Sequence, residues 1–102
     1  MQQSVLGGMG PTVAVTVDIQ KLVQSLKADV EKELDRKCEI FHALSYQSQV
    51  VSGTNYFIKV VVGDGDDYIH VSIYQPLPHT NDKPTVTGVQ RDKKLSDKIE
   101  SF

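Results

Sequence analysis

The apolar residues of this chain change period once, and that change limits what it can fold into. Ile19, Leu22, Val23, Leu26, Val30 and Leu34 recur at steps of three and four, which places them on one stripe of a helix. Asp18, Lys21, Lys27, Asp29, Glu31, Lys32, Asp35 and Arg36 fall mostly outside that stripe. Thr16 can cap the start, and Asp18 in the first turn suits the helix dipole, as Arg36 and Lys37 suit its end. The spacing predicts one amphipathic helix over 17–36, about 30 Å long at ~1.5 Å per residue.

After Cys38 the helical period stops. Residues 39–50 read as a strand in which both parities carry apolar groups: Ile40, Leu44 and Tyr46 on one, Phe41 and Ala43 on the other. Tyr56, Ile58, Val60 and Val62 alternate in the next strand. Ile69, Val71 and Ile73 alternate cleanly with Tyr68, His70, Ser72 and Tyr74. The run Gly63-Asp64-Gly65-Asp66-Asp67 is a strong turn signal between them. Residues 76–84 form a proline-bounded loop, 85–91 a last strand, and 92–102 a charged tail. Val13, Val15 and Val17 allow a further short extended segment. Residues 1–12, rich in glycine, read as a mobile N-terminal arm.

Four strands joined by short connections pair antiparallel. The apolar face of such a sheet needs a cover, and the helix stripe is the only one available. The sequence therefore predicts an α+β domain over 1–102: a curled antiparallel sheet of four to five strands wrapped around one long helix.

Composition removes whole classes of function. With 11 basic and 13 acidic side chains the net charge is −2, which leaves no basic face for nucleic acid or an anionic membrane. No stretch approaches the ~20 apolar residues of a membrane span. A lone cysteine makes no intrachain disulfide, and the N-terminus has no basic start or apolar run of leader type. The expected location is cytoplasmic.

An enzyme is poorly supported. On a strand, Cys38 and His42 would lie about 13 Å apart at ~3.3 Å per residue, beyond the hydrogen-bond reach of a thiolate and its base. Asp64-Gly65-Asp66-Asp67 begins like a calcium loop, but Tyr68 and Gln75 occupy positions that need oxygen ligands. The three histidines lack ligand spacing and read as surface residues. No metal and no cofactor is expected.

Three loop or arm features remain. Gln49-Val50-Val51-Ser52-Gly53 places two valines at a hairpin tip, either folded back onto the sheet or offered to a partner. Leu77-Pro78-His79 is either a proline-stiffened connection or a second contact loop. Gly7-Gly8 sits in the arm. In a four-strand meander, alternate connections share one end of the sheet, so the 49–53 turn and the 76–84 loop point the same way. The chain entering the helix can bring the arm to that end. The three features together make a wedge with an apolar tip, a shape suited to a cleft.

The stretch 49–56 resembles, almost letter for letter, the Gln-Val-Val-Ala-Gly-Thr-Asn-Tyr segment of the cystatin family, and within it the stefins. Gln49, Val51 and Gly53 fall on the family's Gln-x-Val-x-Gly motif, and Ser52 replaces the alanine. Leu77-Pro78-His79, with Asn81 and Pro84 beyond it, looks like the second inhibitory hairpin. Gly7-Gly8 matches the N-terminal glycine, and Phe102 the usual last residue. Ser101 departs from the tyrosine of the stefin B type, and Cys38 is not a hallmark. The resemblance covers nearly the whole chain.

The resemblance implies a reversible, competitive inhibitor of papain-like cysteine proteases of the cathepsin type. The residues it brings to the protease are Leu6, Gly7, Gly8, Gln49, Val50, Val51, Ser52, Gly53, Leu77, Pro78 and His79. Val50 and Val51 would fill the primed side of the cleft, with Leu77, Pro78 and His79 beside them. Leu6 and the glycines would run along the unprimed side. The expected state is a monomer. The competing reading is a cystatin-fold self-assembly module, which would exchange its helix and first strand with a second copy and inhibit nothing.

Overall fold

A computed structural model describes residues 9–102. Strand β1 (Val13–Ala14) precedes helices α1 (Val17–Ser25) and α2 (Lys27–Leu34). Strands β2 (His42–Val51), β3 (Gly53–Gly63), β4 (Asp67–Gln75) and β5 (Thr85–Lys93) follow, with a 3-10 turn at Pro78–Thr80 before the last. The five strands form one antiparallel sheet in chain order.

The helix starts as its sequence dictates. Thr16 is extended, and its hydroxyl accepts the Ile19 N–H at 3.2 Å. The expected single helix over 17–36 differs in two places. Leu26 leaves helical values (φ −109°, ψ 11°), and its N–H tightens onto the Val23 carbonyl at 3.1 Å. Leu26 nevertheless stays buried, so the break keeps the apolar stripe in register. At the other end Asp35 takes a left-handed φ of 55°, which stops the helix two residues early. Arg36 is thereby freed to donate to the Val62 carbonyl at 3.0 Å and to pair with Asp67 at 3.2 Å.

The core lies between helices and sheet. Ile19, Val23, Leu26, Val30 and Leu34 from the stripe meet Ile58, Val60 and Val62 of β3 and Ile69, Val71 and Ile73 of β4. Cys38, Phe41 and Ala43 close one side.

The mixed parity of 39–50 has a mechanical cause. The β2–β3 register shifts between Ala43 and Ser45, so Leu44 is an extra residue. Ala43 pairs with the inward Val60, whereas Tyr46 pairs with the inward Ile58. Odd positions therefore face the core before the bulge and even positions after it, leaving Leu44 exposed. The Gln20 side chain brackets the irregular spot. Its carbonyl oxygen accepts the Ala43 N–H at 3.1 Å, and its amide donates to the Ala43 carbonyl at 3.4 Å.

The outer face of the sheet is covered too, contrary to a one-sided reading of the alternation. Phe57, Lys59, His70 and Ser72 point away from the helices yet are buried. The segment 94–102 lies across them. Lys59 donates its ammonium to the carbonyls of Leu95 and Asp97. Ile99 is buried, and the Phe102 ring sits 5.7 Å from that of Phe57. His70 thus corrects the expectation that all three histidines are at the surface; His42 and His79 are exposed. Neither ring nitrogen of His70 has a hydrogen-bond partner among the described residues. Burial, with Lys59 and Lys93 nearby, lowers its pKa from 6.5 to about 4.

Candidate functional site

The connection between β2 and β3 turns on a single residue. Val51 pairs with Gly53, Val50 with Thr54 and Gln49 with Asn55, so only Ser52 stands outside the ladder. Gly53 makes so sharp a reversal possible with φ +113°, a region that side chains rarely adopt. A Cβ there would also lie 2.7 Å from both the Gln75 carbonyl oxygen and the Tyr74 hydroxyl. The Asn55 amide donates to the Gln49 side-chain oxygen at 3.0 Å, on the third rung of the hairpin from Ser52.

The two valines divide between the alternatives left open by the sequence. Val50 is 56% exposed and presents its side chain to solvent. Val51 is half-buried against the sheet end. The hairpin therefore offers one free apolar group and one that is backed by protein.

The second loop is stiffened locally. Leu77 is extended, and its carbonyl accepts both the N–H of Thr80 at 3.1 Å and its hydroxyl at 2.8 Å. Pro78 occupies the start of the short turn, where a missing N–H costs nothing. Asn81 ends the turn at φ 60°. Leu77 is 37% exposed, and Pro78 and His79 are exposed beside it.

The two loops meet because β3 and β4 are in register to their common end: Thr54 pairs with Gln75, one residue before Pro76. The Tyr74 hydroxyl crosses to the hairpin and donates to the Ser52 carbonyl. The chain entering β1 arrives at the same end. Met9 bridges to Gln49, and the Gly10 N–H donates to the Ser48 carbonyl at 2.9 Å. Leu6, Gly7 and Gly8 lie outside the described residues. Of the site residues expected from sequence, 49–53 and 77–79 are thus brought to one edge, with Met9 alongside.

The two tips carry almost no charge, the exposed Asp82 and Lys83 lying farther along the second loop. Residues 49–53 and 76–79 contain no acid and no base other than His79. Removing such a tip from water costs little, so its apolar surface is free to favour association. The arrangement is shaped for occupying a cleft. Among the described residues no group of three His, Cys, Asp or Glu could hold a metal ion. No helix is long and apolar enough to cross a membrane. Cys38 is buried, burial pushes its thiol pKa up, and its N–H donates to the Glu31 carboxylate at 2.7 Å. That is the environment of a packed side chain, not of an activated thiolate.

Tyr74 and the 94–102 tail were not among the residues expected to matter. A tyrosine at the polar parity of a strand reads as solvent-facing, and a charged tail reads as solvated. The one signal was the shared end of β3 and β4.

A model of the cystatin domain matches residues 7–96. The chain is 40% identical over 96 residues to cystatin-B of Oplegnathus fasciatus, covering 94% of this chain and 95% of that one. It is 38% identical over 96 residues to human cystatin-B, covering 94% and 97%. Leukocyte cysteine proteinase inhibitor 1 of Sus scrofa is 38% identical over 101 residues, covering 99% and 97%.

Proposed function

The chain belongs to the cystatin family, on its stefin branch, and from that premise we propose that it inhibits papain-like cysteine proteases of the cathepsin type, reversibly and competitively. The observation that carries the reading is the meeting of two apolar-tipped loops at one sheet end, with Met9 beside them. It is an inhibitor and not an enzyme. The relatives are named as inhibitors or cystatins, and the lone thiol is packed away.

The mechanism is occupancy. Val50 and Val51 enter the primed side and displace water. Gln49, Ser52 and Gly53 form the turn that delivers them. Leu77 and Pro78 pack alongside, and His79 adds a polar contact at the rim. Leu6, Gly7 and Gly8 run over the unprimed side, where glycine lets the backbone pass close to the nucleophile. No peptide bond is held in attack geometry, so the inhibitor leaves intact. Burying both valines offers roughly 3–6 kcal/mol before association costs. The chain acts in the cytoplasm as one domain over 1–102 and as a monomer. A lone buried cysteine suits such a compartment.

Titration of papain and of a lysosomal cathepsin with the purified chain tests this. Stoichiometric, substrate-competitive inhibition is expected; no inhibition at micromolar protein sinks it. Removal of residues 1–8 is expected to speed dissociation, and an unchanged rate removes the arm from the mechanism.

A further inference from the structure

We infer that Tyr74 is a positioning residue of the inhibitory edge, holding the β2–β3 tip in its binding orientation through the bond from its hydroxyl to the Ser52 carbonyl. This rests on the inhibitory reading above. A turn made by one residue at a free sheet end has few ties. Ser52 is exposed, and Val50 projects into solvent. Ordering such a tip on entry to a cleft costs free energy, and a tie already made in the free protein removes that cost. Tyr74 is the residue placed to make it. It pairs with Asn55, which pairs with Gln49, so the three form a cross-strand row just below the Val50–Thr54–Gln75 row that leads into the turn. Asn55 and Gln49 bond to each other, and Tyr74 reaches over the turn itself.

Gly53 reinforces the assignment. The space its missing Cβ leaves is where the Tyr74 hydroxyl and ring edge lie, 2.7 Å and 2.9 Å from that position. The glycine therefore does two jobs: it permits the left-handed turn and it seats the tyrosine. Tyr74 also stands one residue from Gln75, whose carbonyl lines the same space and leads into Pro76 and Leu77. A single hydroxyl thus fixes the first loop relative to the base of the second.

The test is Tyr74→Phe, which keeps the ring. The inhibition constant for papain is expected to rise roughly three- to tenfold, the worth of one hydrogen bond. Amide exchange at Ser52 and Gly53 should quicken, exchange in the rest of β3 and in β4 should not, and the melting temperature should fall by no more than a few degrees. In a Val51→Asp background, whose tip no longer fits, the same change should have little further effect. An unchanged inhibition constant, or an equal loss in both backgrounds, overturns the inference by placing the effect outside the tip. If the parent chain does not inhibit papain at all, the inhibitory reading fails separately. Unchanged exchange at Ser52 and Gly53 then still overturns the tie.

Discussion

The two ends of the sheet are built on opposite principles. At the 63–67 end, polar side chains cross between elements. Arg36 binds the Val62 carbonyl and Asp67, while Asp66 accepts the Leu95 N–H at 2.7 Å. At the 52 end, apolar side chains stand in water, and the ties among the described residues include Tyr74 to Ser52, Asn55 to Gln49 and Met9 beside Gln49. One end closes the fold, and the other is the edge proposed to enter a protease. Substitutions should therefore separate stability from inhibition according to where they fall.

The largest effect belongs to the core between the two ends. Ile58→Ala removes buried methyl groups from a fully enclosed side chain and should cost about 2–5 kcal/mol of stability by denaturant titration. Inhibition by the molecules still folded should be unchanged.

Acid probes the tail-covered face. The pKa of His70 is about 4 in the folded chain and near 6.5 in the unfolded one. Between those values the unfolded state binds a proton that the folded state refuses, so stability is full above pH 6.5 and falls down to about pH 4. The loss, of the order of 3 kcal/mol at ~1.4 kcal/mol per unit, should vanish in His70→Gln. The negative charge of Asp97 opposes the shift, while Lys59 and Lys93 support it. A stability curve that stays flat across this window would contradict the burial of His70.

Val51→Asp should act on the free end alone. Inhibition is expected to weaken by roughly tenfold to a hundredfold, since an apolar contact is replaced by a charge that must be desolvated. Unfolding of the chain would instead show that Val51 belongs to the core. The smallest effect should come from Arg36→Ala at the closed end. Its side chain and that of Asp67 are 44% and 37% exposed, so the pair is worth less than about 1 kcal/mol. Inhibition should not respond.

Much of this was readable from residue order. The stripe from Ile19 to Leu34 and the alternation at Ile69, Val71 and Ile73 defined both sides of the core. The order of four short-linked strands alone places 49–53 and 76–84 at one end. What was not readable depends on partners distant in the chain. The bulge at Leu44 exists only against β3 and Gln20. Lys59 and His70 look solvent-facing until 94–102 lies over them, and that tail looks solvated until Lys59 gathers its carbonyls. At the candidate site, the motif residues declared themselves, whereas Tyr74 gains its role only from the register that brings it over Gly53.

Arg91 holds a last consequence. From β5 it donates to the carbonyls of Leu34 and Glu33, both at 2.8 Å, across 57 and 58 residues of chain. Those are carbonyls that α2 cannot satisfy by itself. The helix is the most local element of the molecule, yet its end is finished by the last of the described strands. Without β5, strands β2, β3 and β4 keep their neighbours in the sheet, but the end of α2 lacks the fastener that joins it to a strand nearly sixty residues away. The end of a local element is thus held by the most non-local contact it makes.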